Sequence, residues 1–331
     1  MVGISWWVDS AVAAYLLMQQ WYEVIAWFML TYLDESNPAC TTKQDIEQFH
    51  AVRTHLWIDA FEIFDFRKEY CETVLSYLYD GYLAGITPNP DILCNTIIKF
   101  WLFLHEWLWY ADMIATWHYA KIINWYLYQA HDLHKDQTYF LSWLEQSQLD
   151  HVIFPLADIT KIQVRQIAQD IWLPNATRKD SQWLCFVWNI PMKKFLANKI
   201  WIQPWNIMYR WDIVWKHDGV YLFTPWQRRW LWLPFQAYVS HIDVVSNTVT
   251  VDTSPISTQT ISLSHRRWLW ETMIDWYYDV KIRHGQSPIS AYLAFWDVVT
   301  ITYDQPITWI SQWQVWVAYH NHRVIWSWII T

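Results

Sequence analysis

At 331 residues with a formal net charge of −8, the chain is long enough for two or three domains with substantial cores. It carries no overall basic field that would advertise a nucleic-acid partner, although a local basic groove would suffice for one. Four cysteines without a CxxC pair exclude a disulfide framework, and no secretory leader precedes the first motif, so a reducing cytoplasm is the expected compartment.

The chain opens on a short apolar strand, "VGI", with only Met1 and Val2 before Gly3, so this strand is expected to be clipped at its start. A helix is expected over "VDSAVAAYLLMQQ" and a second strand over "YEVIAWFML". The stretch from Ala11 to Leu33 is apolar enough to suggest a membrane span, but Gln19, Gln20 and Glu23 interrupt it and its period changes near Tyr22. It reads as a soluble helix followed by a buried strand, and no membrane partner is expected. Next come a helix over "TTKQDIEQFHAVRTHL", a strand "DAFEIFDF", helices over "KEYCETVLSYLYDGYLAG" and "DILCNTIIKFWLFLHEWL", and a strand "ADMIAT". This alternation predicts an α/β domain with a doubly wound parallel sheet over residues 1–195. Beyond residue 196, short β-branched runs such as "AYVSHIDVVSNTVTVDT" and "VVTITYDQPI" predict two small β-rich domains, 196–254 and 255–331, divided near "DTSPIST". The thirteen histidines show no zinc spacing, so no protein-ligated metal site is predicted.

The composition holds an anomaly: 30 Trp against 5 Gly. An ordinary domain carries about 7% glycine, which would be roughly 23 residues. Tryptophan stands where glycine is needed for positive φ or close backbone approach, as at Trp21, at Trp57, and at Trp172 with Pro174 just beyond. "TPWQRRWLWLP" and "VIWSWIIT" are implausible as indole-rich loops and ordinary as glycine-rich ones. One hypothesis accounts for this: most of these tryptophans are glycines in the living protein, encoded by UGA, which some bacterial lineages read as glycine and a common alternative code reads as tryptophan. Trp268 and Trp270 are candidates for true tryptophans. The alternative is a genuinely Trp-rich protein.

Three motifs carry chemistry. "GISWWVDS", Gly3 to Ser10, sits between the first strand and first helix; with glycine at 6 and 7 it reads SGGVDS, a loop whose N–H groups and helix dipole suit pyrophosphate. Ser5 and Ser10 can donate hydroxyl hydrogen bonds, and Asp9 is placed to help hold Mg²⁺. The plain alternative is a strand–helix turn capped by Ser and Asp. In "TPNPDILCN", Thr87 to Asn95, Asp91 is positioned to N-cap the next helix and Cys94 falls in its first turn, where a thiol pKa is lowered. Spacing alone favours the plainer reading, a small buried Cys beside an ordinary cap. "RKDSQWLCFV", Arg178 to Val187, would with glycine at 183 present Cys185 on a tight turn beside Arg178 and Lys179. Cys40 and Cys71 have no comparable context.

These motifs, with "ATWHYA", "KDQTYFL", "TPWQRRWLWLP" and the ending "VIWSWIIT", occur in the order found in the tRNA-specific 2-thiouridylases, ATP pyrophosphatases with a pyrophosphate (PP) loop, and the chain resembles that family over nearly its whole length. The resemblance implies a C-terminal β-barrel and ATP-dependent, Mg²⁺-assisted thiolation of C2 of the wobble uridine of Lys, Glu and Gln tRNAs, with a cysteine desulfurase or sulfur-relay protein as donor. It implies ATP binding by Gly3, Ile4, Ser5, Trp6, Trp7, Val8, Asp9 and Ser10, with Met29 and Trp117 assisting. Asn89, Pro90 and Asp91 would contact the target base; Lys135, Asp136, Gln137, Arg283 and His284 would touch tRNA. Cys94 would be the nucleophile, Cys185 the persulfide carrier and Asp91 an acid–base or orienting partner. The chain departs from the family's glycines at Trp6, Trp7, Trp117 and Trp183, and its "RHGQ" at 283–286 replaces an Arg-Tyr-Arg-Gln run. The rival readings are another PP-loop enzyme, such as a 4-thiouridine synthase or an amidating ligase, and, if the tryptophans are literal, a catalytically dead tRNA-binding relic.

Overall fold

The computed structural model describes residues 1–5, 7–34, 40–107, 110–178, 192–197, 199–200, 203–229, 231–255, 257–269, 274–296, 298–308, 310–311 and 313–330. The chain divides into two compact units: Met1–Val74 with Asp91–Asn189 and His320–Val324, and Leu75–Pro90 with Ile190–Tyr319 and Ile325–Thr331.

The first unit holds strands β1 (Val2–Gly3), β2 (Ala26–Leu30), β3 (Phe61–Asp65), β4 (Ile114–Ala115), a hairpin of β5 (Ala120–Ile123) and β6 (Tyr126–Gln129), and β7 (Val152–Ile153). A five-stranded sheet runs in the order β3-β2-β1-β4-β7, every pairing parallel. The helices in this part of the chain are α1 (Val8–Gln19), α2 (Thr42–His55), α3 (Arg67–Tyr70), α4 (Ser76–Leu83), α5 (Pro90–Leu93), α6 (Phe103–Trp107), α7 (Thr138–Leu141), α8 (Gln146–Leu149) and α9 (Lys161–Asp170). Parallel strands buried on both faces need apolar runs, and β2 is buried at Ala26, Trp27, Phe28 and Met29. The small residues Ala11, Val12 and Ala14 of α1 pack in one cluster with Phe28, Phe49, Val52, Val164 and Ala168. The expected doubly wound sheet is therefore present.

In the second unit, α10 (Met192–Ala197), β8 (Trp205–Tyr209), β9 (Asp212–His217), β10 (Tyr238–Asp243) and β11 (Thr248–Asp252) come first. Their four strands pair in the order β10-β11-β8-β9 over a core that includes Ile207, Val239 and Val249. Then β12 (Ser257–Leu269), β13 (Trp276–Lys281), β14 (Ile289–Phe295), β15 (Val299–Thr308), β16 (Val315–His320) and β17 (Arg323–Ile330) pair in the order β12-β15-β14-β13-β16-β17, and β12 pairs with β17 to close a barrel. The barrel has its own apolar cluster, with Leu293, Ile301 and Trp326 inside. Among the described residues no helix is long and apolar enough to cross a membrane.

The helix ends repay close reading. At α4, Gly85 (φ 73°) donates to the Tyr82 carbonyl and Ile86 donates to Gly81, the paired bonds of a Schellman cap. Three other helices end in the same way, with Trp in place of Gly. Trp21 (φ 65°) donates to Met18 and Tyr22 to Leu17; Trp57 (φ 58°) to Thr54 and Ile58 to Arg53; Trp172 (φ 56°) to Gln169 and Leu173 to Ala168. A left-handed conformation costs an L-residue roughly 1–2 kcal/mol, and the indole of Trp172, 82% exposed, recovers little of it through burial. Trp172→Gly is expected to raise the stability of the first unit by about 1 kcal/mol, after allowing for the added chain entropy of glycine. Denaturant unfolding of the two proteins checks this: an unchanged or lowered midpoint contradicts it.

Candidate active site at the sheet's switch point

The order β3-β2-β1-β4-β7 reverses direction at β1: strands two and three lie to one side of it, four and seven to the other. In an open parallel sheet the crevice beyond the strand C-termini at such a reversal is where ligands bind, because neighbouring loops diverge there. Here those loops are residues 4–7 after β1 and 116–119 after β4.

The loop after β1 is locked from within. Ser10 Oγ donates to the Trp7 carbonyl (2.8 Å) and accepts from Ser5 N–H (2.9 Å), and the two serine hydroxyls are 3.0 Å apart. Ser10 is fully buried and Ser5 nearly so. Both serines thus shape the loop. The N-cap residue of α1, Trp7, makes no side-chain cap hydrogen bond among the described residues, and the helix dipole and first-turn N–H groups face the loop as an anion site would. Asp9, expected beside Mg²⁺, is held by Lys161 Nζ (2.6 and 2.7 Å) and by the Tyr119 hydroxyl (2.8 Å). A cation there would compete with the ammonium of Lys161.

The backbone suits a nucleotide, and the side chains do not. A Cβ at Gly3 would lie 2.6 Å from the Trp27 indole and 2.8 Å from that of Trp117, so two large rings crowd the point where backbone would approach a ligand. Trp27 is buried against Phe103, with ring centres 3.9 Å apart. Trp6 lies outside the described residues.

The cysteine helix differs from its sequence-based expectation. It starts at Pro90, so Asp91 lies in the first turn and does not cap the helix; Asn89 precedes it, and Cys94 begins a π-helical segment, Cys94–Leu102, one turn further in. Cys94 is 1% exposed. Burial pushes its thiol up to about 12, and Asp91 adds to the rise while Lys99 opposes it. Desolvation outweighs the lowering that a helix N-terminus would give, and the small buried Cys that spacing favoured is the one the fold holds. The wide turns of the π-helix are supported from α8 and α7: Gln148 Nε2 donates to the Phe100 carbonyl (2.6 Å), and Asn95 Nδ2 donates to the Phe140 carbonyl (3.1 Å).

Lys99, also 1% exposed, donates to Asn95 Oδ1 (2.9 Å), and its ammonium stands 5.3 Å from the ring centre of Trp117. It therefore connects the cysteine helix to the loop after β4. Sequence reasoning missed Lys99; the signal was a single cation inside the apolar run "IIKFWLFL". It also missed Lys161 and Tyr119, which meet Asp9 only through the fold. His118 is buried, hydrogen-bonded to Thr116 Oγ1 (2.8 Å), and held neutral by burial and by the nearby Lys99.

The remaining expected residues are dispersed. Met29 is buried inside β2. Asp136 is buried and accepts from Gln129 Nε2, Thr138 Oγ1 and Ala130 N–H, so its carboxylate serves its own loop. Gln137 Oε1 accepts from Tyr119 N–H (3.0 Å), while Lys135 is half-exposed. Arg283 and His284 follow β13 in the second unit, both half-buried. Cys185, with Lys179 and Trp183, lies outside the described residues.

Two family models match the chain: the tRNA methyl transferase HUP domain over residues 1–189 and the aminomethyltransferase beta-barrel domain over 258–330. It is similar to the tRNA-specific 2-thiouridylase MnmA of Lysinibacillus sphaericus, 42% identical over 70% of this chain and 63% of that protein. Its namesake in Mycoplasma pneumoniae is 35% identical over 98% of this chain and 95% of its own length. That of Metamycoplasma arthritidis is 42% identical over 70% of this chain and 66% of its own. With the first of these, as with the Geobacillus kaustophilus relative at 64%, the match spans less than two thirds of the relative's length. A pyrophosphate-type loop at a switch point, a buried Cys one turn into the neighbouring helix and a closed C-terminal barrel agree with these matches, and the chain belongs to the tRNA-specific 2-thiouridylase family.

Proposed function

We propose that this chain is an ATP-dependent tRNA 2-thiouridylase acting on C2 of the wobble uridine. The observation that carries the reading is the loop at the sheet's switch point, where Ser5 and Ser10 lock the chain ahead of the α1 N-terminus in the manner of a pyrophosphate loop. The buried thiol of Cys94 lies in the same compact unit, which supports reading the two as parts of one site.

The C2 oxygen of uracil is a poor leaving group. ATP, when bound, supplies its activation as an adenylate, so that AMP departs. The chain's residues do the rest. The helix N-terminus after β1 orients phosphate oxygens, and Ser5 and Ser10 hold that loop in shape. Asn89, Pro90 and Asp91, at the start of the cysteine helix, contact the base once it leaves the anticodon stack, which costs a few kcal/mol. Cys185 carries the incoming sulfur as a persulfide, loaded by a cysteine-desulfurase relay. Cys94, its proton passed to Asp91, attacks the inner sulfur of that persulfide. A Cys94–Cys185 disulfide forms and hydrosulfide leaves to displace AMP at C2; an external thiol reductant restores both cysteines. Direct persulfide attack on C2, resolved by Cys94, has the same balance. Lys135, Arg283 and His284 supply tRNA contacts, with Mg²⁺ accompanying the phosphates. Asp136 acts by shaping the loop of Lys135.

A second reading, a tRNA-binding protein without catalysis, is favoured by the two indoles against Gly3. ATP binding separates the two. The chain with tryptophan at 6, 7, 27 and 117 is expected to bind ATP weakly, and a variant with glycine at all four to bind at least roughly tenfold more tightly, a gain of about 1.4 kcal/mol. Equal, weak binding by both, measured by calorimetry, favours the second reading.

Two further outcomes test the chemistry. In the glycine variant, Cys94→Ser and Cys185→Ser should each abolish 2-thiouridine formation with tRNA affinity nearly intact; turnover by either sinks the assignment. Because burial holds the Cys94 thiol up to about 12, its alkylation rate should climb with pH through 10 without reaching a plateau. Lys99→Met removes the opposing cation and should slow alkylation at fixed pH by about tenfold, equivalent to one pKa unit, whereas Lys99→Arg should not. A plateau near pH 8, read by peptide mass spectrometry, contradicts this account of the site.

A further inference from the structure

We propose that the tryptophans at a defined set of positions are glycines in the protein as its own cell makes it, and the structure assigns those positions one by one. The inference does not rest on the catalytic reading.

The first observation is backbone conformation. Among the described residues, eight tryptophans, at 21, 57, 125, 172, 211, 226, 232 and 313, have φ between 53° and 78°. Only a few per cent of non-glycine residues adopt positive φ, and a bulky side chain there is an outlier. Each of six sits at a position whose hydrogen bonding defines what it needs. Trp21, Trp57 and Trp172 occupy the C′ site of Schellman caps whose bonds match those at Gly85. Trp125 (φ 68°) follows Asn124 (φ 48°) in the two-residue loop between β5 and β6, where Asn-Gly is the favoured pair. Trp211 (φ 78°) follows Arg210 (φ 47°) in the corresponding loop between β8 and β9. Trp226 (φ 71°) is the third residue of the turn Thr224–Gln227, closed by Gln227 N–H on the Thr224 carbonyl (3.1 Å), with Pro225 second. That is a type II turn, whose third position calls for glycine.

The second observation is independent of φ. The indole N–H groups of Trp27, Trp326 and Trp328 are buried and find no hydrogen-bond acceptor among the described residues. Buried tryptophans ordinarily find one. The two sets share no member and together span both compact units. Exposure fits as well: Trp21 and Trp211 are each 95% exposed, so their rings contribute almost nothing to packing.

A codon translated as tryptophan under one genetic code and as glycine by the cell's own tRNA produces both signatures at once. A Trp-rich protein selected as such has no reason to place indoles at C′ sites, at hairpin loop positions and in the third position of a Pro-containing turn.

The test is tandem mass spectrometry of proteolytic peptides from the native protein, purified from its own cells, covering residues 21, 57, 125, 172, 211 and 226. Glycine at these six positions is the expected result. Tryptophan there overturns the proposal, whatever the enzyme assay shows.

Discussion

The reversal of strand order at β1 is the constraint on which the site depends. Because β2 and β4 flank β1 in parallel, the loops after β1 and β4 leave the same edge of the sheet and part from each other. The crevice between them receives the N-terminus of α1 from one side. From the other it receives the Cys94 helix, through Lys99 and Trp117. Neither strand is long: β1 and β4 have two residues each. The longer, apolar β2 fixes β1 on one side, and the helix–helix contact of α1 with α9 closes the layer.

Desolvation governs the chemistry of that crevice. Cys94 and Lys99 are both almost wholly buried, one turn apart on a π-helical segment. Burial favours the neutral thiol of Cys94, and the Lys99 ammonium opposes that shift. Polar supports hold the arrangement: Asn95 takes the ammonium, and Gln148 takes a carbonyl freed by the wide turn.

Much of this was legible in the sequence, and the failures have physical causes. Alternating apolar runs and helical periods gave the parallel sheet, since each element's burial is local to its own period. The start of the cysteine helix was misplaced because Pro90 is itself acceptable at the first helical position, which moves the cap back to Asn89 and carries Cys94 inward. Nothing in a motif reports the extent of desolvation, so a lowered thiol and the favoured small buried Cys both stayed open until the fold showed Cys94 buried. Asp9 reads as a metal ligand beside a phosphate loop; only the fold brings Lys161, 152 positions later, onto it. The resemblance implies tRNA contacts for Asp136 and Gln137, whereas in the fold the β5–β6 hairpin and Tyr119 take up hydrogen bonds of theirs.

The distribution of backbone strain separates two explanations of the tryptophans. Strain kept for function gathers at active sites, where surrounding contacts hold it in place. Here the left-handed tryptophans stand at helix ends and hairpin loops, most of them exposed, and many lie far along the chain from the Gly3 loop. Natural sequences are consistent from local propensity to global fold, because each conflict lowers the gap that protects the native state. Eight such conflicts at roughly 1–2 kcal/mol each would rival the whole stability of a domain, 5–15 kcal/mol. A chain so arranged by selection would have removed them one at a time, since all but Trp226 are exposed and can change without disturbing a core. Their persistence at positions suited to glycine points to the reading of the codon, with the fold already paired to the residue the cell inserts.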